Sequence, residues 1–142
     1  AGIKPEALDA LFEASGGYPY FIQAYAKAAW DAAPTDPIAA EDVRVSAPEA
    51  EAELAVGFFG SRYERATPAE REYLLAMAEL TNGRDEAARS ADVAVFLGRK
   101  PSSLSPARDS LMKKGLVYSA ERGRIAFTVP HFGQYLLNRP DD

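Results

Sequence analysis

The chain has 142 residues, 47% hydrophobic and 26% charged, an ordinary globular composition for one domain or two small ones. With no cysteine and a single histidine, disulfides, thiolate metal sites and a cysteine nucleophile are excluded and a zinc site is disfavoured. No apolar run reaches the length of a membrane span, and no basic-then-apolar leader opens the chain, so the expectation is a cytoplasmic protein away from membranes.

The net charge of −5 is unevenly spread. Residues 1–65 carry −6, whereas residues 66–142 carry +1. Within 99–124, seven cations (Arg99, Lys100, Arg108, Lys113, Lys114, Arg122 and Arg124) face only Asp109 and Glu121. A local basic stripe on an acidic chain points to a surface for anions, although such a run is also what a solvated face looks like. The opening Ala1-Gly2-Ile3-Lys4-Pro5, without Met, reads as the start of an excised fragment.

Residues 4–14 predict a short helix, with Pro5 in its first turn and Leu8, Leu11 and Phe12 as an apolar stripe ended by Gly16-Gly17. A second helix follows Tyr18-Pro19 and carries Phe21, Ile22, Tyr25, Ala26, Ala29 and Trp30. Pro34 and Pro37 bracket a loop. Ile38 and Val43 predict a helical turn begun by Glu41-Asp42. Ser46 then reads as the cap of a longer helix to about Glu64, with Pro48 in its first turn and Glu49 at the third position. Gly57 and Gly60 weaken its continuity.

Thr67-Pro68-Ala69-Glu70 is a capping box with Pro at the first helical position, and Tyr73, Leu74, Met77 and Leu80 share one face beyond it. The stretch from Thr81 to Arg89 is polar, with Asn82-Gly83 as a turn. Ser90 starts a short helix with Val93, Phe96 and Leu97 inward and Gly98 as its stop. A third helix spans about 102–114, with Leu104, Ala107 and Leu111 inward, Pro106 near its first turn, and Gly115 as its end. Leu116–Ser119 and Arg124–Val129 read as strands, the second alternating on Ile125, Phe127 and Val129, with Gly123 in the turn. A last helix carries Phe132, Tyr135, Leu136 and Leu137.

Helix, short helix, Gly-stopped helix and hairpin is the order of a winged helix-turn-helix. The expected fold is therefore mainly α with a small β-hairpin, divided into a helical subdomain over 1–65 and a winged helix over 66–142. Its second helix would present Ser102, Ser103, Ser105, Arg108, Asp109, Met112 and Lys113 outward, where Ser, Arg and Lys contact phosphate and Arg reads guanine. Arg122 and Arg124 would sit on the wing. With Arg99, Lys100 and Lys114 these form the candidate duplex DNA surface. Winged helices also serve as protein-interaction modules, and Asp109 and the acidic N-terminal half oppose DNA, so a protein partner stays open.

The run Ser15-Gly16-Gly17-Tyr18-Pro19-Tyr20-Phe21-Ile22-Gln23 resembles the lid of bacterial and archaeal AAA+/STAND-type P-loop ATPases. Ala66-Thr67-Pro68-Ala69-Glu70-Arg71-Glu72-Tyr73-Leu74, the stretch Leu104 to Tyr118, and Phe127-Thr128-Val129-Pro130-His131-Phe132 resemble that family's winged helix. The likeness covers essentially the whole chain, in the family's order. It implies that Gly17, Tyr18 and Pro19 lie near the adenine of a bound nucleotide. It also implies that His131 could reach a phosphate, although the Met and Asp that flank this His in the family are replaced here by Pro130 and Phe132. ATP or ADP with Mg would then belong to a P-loop core preceding Ala1. The chain itself has no G-x-x-x-x-G-K-[ST] and no strand ending in paired acids, so no ATP hydrolysis and no catalytic residue are expected of it alone. The rival readings are a free-standing winged-helix DNA-binding regulator and a winged-helix protein-interaction module.

Overall fold

Proline and glycine punctuate the first helices. A computed structural model describes residues 2–33 and 37–139. Helix α1 spans Pro5–Ser15 and α2 spans Pro19–Ala32, each with Pro in its first turn. Gly16 and Gly17, both at positive φ, turn the chain between them. The inward face of α1 is Ala7, Leu11 and Ser15. Leu8 and Phe12, expected inside, are exposed, Phe12 by 61%. A serine takes the inner position because its hydroxyl donates to the Phe12 carbonyl at 3.3 Å. On α2 the buried set is Phe21, Tyr25, Ala28 and Ala29, while Trp30 is exposed.

Pro34 lies outside the described residues. Ile38, expected in a helical turn, instead bridges Ile3 in parallel. The Lys4 N–H donates to the Ile38 carbonyl and the Ile38 N–H to the Gly2 carbonyl, both at 2.9 Å. Helix α3 then spans Ala40–Leu54 without the break expected at Ser46. Its start is held by Asp42, whose Oδ2 accepts the Ala39 N–H at 2.8 Å. Ser46 does not cap. Its hydroxyl donates back to the Asp42 carbonyl at 2.7 Å, the mid-helix alternative for serine. Pro48 consequently sits inside the helix rather than in a first turn.

Ala55–Phe59 follows as a π-helical turn, and Gly60–Glu64 forms the short helix α4. In the π turn, consecutive Phe58 and Phe59 both reach Phe21, with ring centroids 4.9 and 5.4 Å away. Tyr20 stacks on Phe58 at 4.9 Å and Tyr18 meets it edge-on at 6.0 Å. This aromatic cluster closes the first core. The Tyr25 hydroxyl donates to Glu51 Oε1 at 3.4 Å. Burial, then the Glu51 charge and this bond, push the Tyr25 phenol far above its usual value.

The chain forms two compact units, Ala1–Gly60 and Ser61–Asp142. Ser61–Glu64 falls in the second unit. There Arg71 and Arg139 lie over the Tyr63 ring, at 4.3 and 3.7 Å from its centroid.

The second unit begins with the capping box in place. Thr67 Oγ1 accepts the Glu70 N–H at 3.3 Å and Glu70 Oε1 accepts the Thr67 N–H at 3.1 Å. Helix α5, Pro68–Thr81, buries Tyr73, Leu74 and Met77, although Leu80 is exposed. Asn82 and Gly83, both left-handed, end it. The polar stretch after them contains a strand not foreseen, β1, Ala88–Arg89. Helix α6, Ser90–Leu97, stops at Gly98, and α7 spans Pro101–Lys113. On α6, Val93 and Ala94 are buried and Phe96, expected inward, is 52% exposed. Pro106 falls at the sixth residue of α7, beyond the first turn, and removes the helical bond to the Ser102 carbonyl. Strands β2, Val117–Glu121, and β3, Arg124–Phe127, form the hairpin. Helix α8, Phe132–Asn138, closes the chain.

The antiparallel sheet has the order β1-β3-β2, with Ala88 opposite Ile125 and Arg89 opposite Arg124. Ile125 is fully buried, and Ala126, on the opposite face of a strict alternation, is small enough to be covered as well. Helix, strand, two helices and a hairpin that recruits the first strand constitute a winged helix-turn-helix on a mainly α chain. The core is Tyr73, Leu74, Met77, Val93, Leu111, Leu116, Ile125 and Phe132. Gly83 is a tight point in this unit. At φ +73°, a Cβ there would lie 2.7 Å from Gln134 Oε1 and 3.3 Å from the Gln134 Cα. Gly83→Ala is expected to destabilise by about 1–2 kcal/mol from the left-handed backbone alone, read as a shift in the urea midpoint.

Candidate nucleic-acid interface

The helix-turn-helix arises because Gly98, at φ +64°, reverses the chain after α6, and Pro101 opens α7. Leu104 and Leu111 turn inward. The outer side of α7 then carries Ser102, Ser103, Ser105, Asp109, Met112 and Lys113, all exposed. Lys100 precedes the helix and its carbonyl accepts the Ser103 hydroxyl at 2.8 Å. Arg122 stands in the two-residue turn of the hairpin.

The seven cations of the sequence stripe fall into distinct environments. Lys100, Lys113 and Arg122 are exposed and form no ion pair among the described residues. Arg99 pairs with Glu72 at 3.3 Å, and Arg124 with Glu121 at 3.9 Å, both on the surface. Lys114 is structural. Its Nζ donates to Glu70 Oε1 at 2.6 Å and to the Arg65 carbonyl at 2.9 Å, while Arg65 Nη2 donates to the Lys114 carbonyl at 2.8 Å. Burial raises the Glu70 carboxyl pKa. Hydrogen bonds from Lys114, Ser110 and the Thr67 backbone, with the Lys114 charge, outweigh burial and hold the group below its ordinary value.

Arg108, expected outward, is partly covered. Its side chain is only 28% exposed, with Nη1 3.8 Å from Asp109 Oδ1. It lines a cleft of about 270 Å³ with Tyr73, Ser90, Pro101, Leu104, Ser105 and Gly123. It faces this cleft because it follows Pro101, Leu104 and Ser105 along one side of α7. Arg89 was missed in the sequence. A two-residue strand has no periodicity to detect, yet register sets exposed Arg89 directly opposite Arg124. Two like charges facing each other across strands cost stability, and here Glu121, 3.9 Å from Arg124, offsets part of that cost.

In the first unit, Gly17 is exposed and its N–H is held by the Phe12 carbonyl at 3.1 Å and by Ser15 Oγ at 3.2 Å. Tyr18 packs against Phe21 at 4.9 Å, and Pro19 opens α2 with its ring exposed. His131 lies beside a carboxylate. It is left-handed at φ +67°, its N–H donates to Asp85 Oδ1 at 2.9 Å, and Nδ1 lies 3.8 Å from Asp85 Oδ2. A carboxylate against the imidazole opposes a second anion there.

Among the described residues no group of three or more His, Asp or Glu side chains is arranged to hold a metal ion. None of the described helices is long and apolar enough to cross a membrane. No curated protein matches the chain. A domain of unknown function, DUF8462, matches residues 56–136, more than half of the chain and nearly all of the winged helix. The chain therefore belongs to the DUF8462 family.

Proposed function

We propose that this chain is the lid and winged-helix portion of a cytoplasmic AAA+/STAND-type P-loop ATPase, and that its winged helix engages duplex DNA in step with nucleotide state. The observation that carries the DNA half is the exposure of Lys100, Lys113 and Arg122 on the outer helix and hairpin turn, with Arg89 beside them on the sheet. In a winged helix these positions lie along the major groove and the adjoining backbone. The ATPase half rests on the succession of lid-like and winged-helix motifs and on the exposed Pro19. In this reading the lid contacts the nucleotide base, and the P-loop core supplies Mg²⁺ and hydrolysis.

The test is made on the intact protein. The coding sequence preceding Ala1 is expected to contain G-x-x-x-x-G-K-[ST], and duplex affinity is expected to differ at least about fivefold between ATP and ADP, the low end of ordinary coupling. Absence of that motif removes the ATPase half. Equal affinity in both nucleotides removes the coupling. A specific observation also favours a protein-interaction module. Val95 and Phe96 on α6 are 79% and 52% exposed, an adjacent apolar pair on the surface. Loss of a partner on Phe96→Ser, with DNA affinity absent throughout, would establish that reading.

A further inference from the structure

The cleft between α5, α6, α7 and the hairpin turn holds polar groups that the fold does not use. The Ser90 hydroxyl and Arg108 Nε are buried and have no hydrogen-bond partner among the described residues. Unpaired buried polar atoms are costly, and a pair of them lining one cleft calls for a ligand. Tyr73 is only 1% exposed and lines the same cleft. Burial raises its pKa, while the neighbouring Ser90 and Arg108 side chains and the Arg108 charge act the other way. The phenol therefore stays protonated and can donate at neutral pH.

We propose that this cleft binds a phosphate group, held by the Arg108 guanidinium and by the Ser90 and Tyr73 hydroxyls. Donors from three different helices line this one cleft, and with the flanking cations they suit a multiply charged oxyanion. About 270 Å³ exceeds the roughly 30 Å³ share of one water severalfold, so the ligand fits without rebuilding the walls. The local charge agrees. Arg89 precedes Ser90 and Arg124 follows Gly123, so two further cations flank the cleft in the chain. The opposing carboxylates are Asp109, 3.8 Å from Arg108 Nη1, and Glu121, 3.9 Å from Arg124 Nε. Neither offers Arg108 Nε a hydrogen bond. The source of the phosphate is either the duplex backbone, which rests on the DNA reading above, or a free phosphate-bearing molecule.

The experiment uses the whole chain and two probes. Inorganic phosphate is titrated against chloride at equal ionic strength while backbone amide shifts are followed by NMR. Saturable shifts centred on Ser90, Ser105, Arg108 and Gly123, specific to phosphate, are expected. Arg108→Gln and Ser90→Ala, each checked for an unchanged fold by circular dichroism, are expected to weaken phosphate about tenfold, the usual size of one charge-assisted bond. Absence of saturable shifts in the wild-type chain overturns the proposal without reference to any variant. The same proteins are then titrated with duplex DNA. A matching tenfold loss in Arg108→Gln assigns the phosphate to the duplex backbone. Phosphate binding without DNA binding keeps the cleft, assigns it to a free ligand, and removes the DNA reading. DNA binding unaffected by Arg108→Gln, with no response to inorganic phosphate, overturns the cleft and leaves the DNA reading standing.

Discussion

Lys114→Met is expected to lower the stability of the second unit by about 1–3 kcal/mol, because it removes the counter-charge of a largely buried carboxylate. The Glu70 side chain is 6% exposed and that of Lys114 29%. Removing the ammonium leaves Glu70 with only the Ser110 and Thr67 bonds and frees the Arg65 carbonyl. The lost contacts also join the first turn of α5, and Arg65 before it, to the end of α7, so the helix that carries the outer residues loosens at its base. For a unit of this size the melting point falls by roughly 4–8 °C per kcal/mol, and urea unfolding gives the free energy directly. The pH dependence follows from the same contact. The Glu70 pKa is lower in the folded than in the unfolded chain, so its contribution is fully present above the unfolded value, about 4.3. That contribution disappears as pH falls through the folded value. Lys114→Met is therefore expected to flatten the acid limb of the stability curve, while Lys113→Met, one residue earlier and exposed, leaves it unchanged.

The second large effect concerns DNA. Replacing Lys100, Lys113 and Arg122 together by Gln is expected to reduce duplex affinity roughly a hundredfold at low salt, with up to about 1 kcal/mol from each exposed contact. The slope of log affinity against log salt is expected to drop by about 2.7, at about 0.9 per lost phosphate contact. Changing Arg99 and Lys114 instead is expected to leave the slope nearly intact, since Glu72 and Glu70 already occupy them. Fluorescence anisotropy across a salt series separates the two sets. An equal response of both would show that the binding is diffuse attraction to net charge rather than contact by one face.

These two predictions divide a stripe that is uniform in the sequence. Seven cations within 99–124 mark the right half of the molecule, but charge alone carries no information about partners 30 or 40 residues away. Lys114 finds Glu70 through a capping box at the far end of another helix. Arg108 turns inward because Pro101, Leu104 and Ser105 share its side of α7, a register that hydrophobicity alone does not reveal when two of the four are Ser and Arg. The winged helix was legible because its punctuation is strong. Thr67-Pro68-Ala69-Glu70, Asn82-Gly83, Gly98, Gly115 and Gly123 all stand where a cap or left-handed residue is observed. Strand β1 was not legible, since two residues display no period and are fixed only by pairing with β3. In the first unit, Ser46 imitated a capping serine, yet its hydroxyl donates backward to Asp42 instead of accepting forward. The π turn that brings Phe58 and Phe59 onto Phe21 also lies beyond a reading by 3.6-residue periodicity.

Whether the winged helix uses this face on DNA is decided by a backbone NMR titration of the whole chain with a short mixed-sequence duplex at low salt. Shifts are expected to concentrate on Lys100, Ser102, Lys113, Arg122 and Arg89 and to fade as salt is raised. Shifts confined to Val95 and Phe96, or no salt-dependent shift anywhere, would contradict this use of the face.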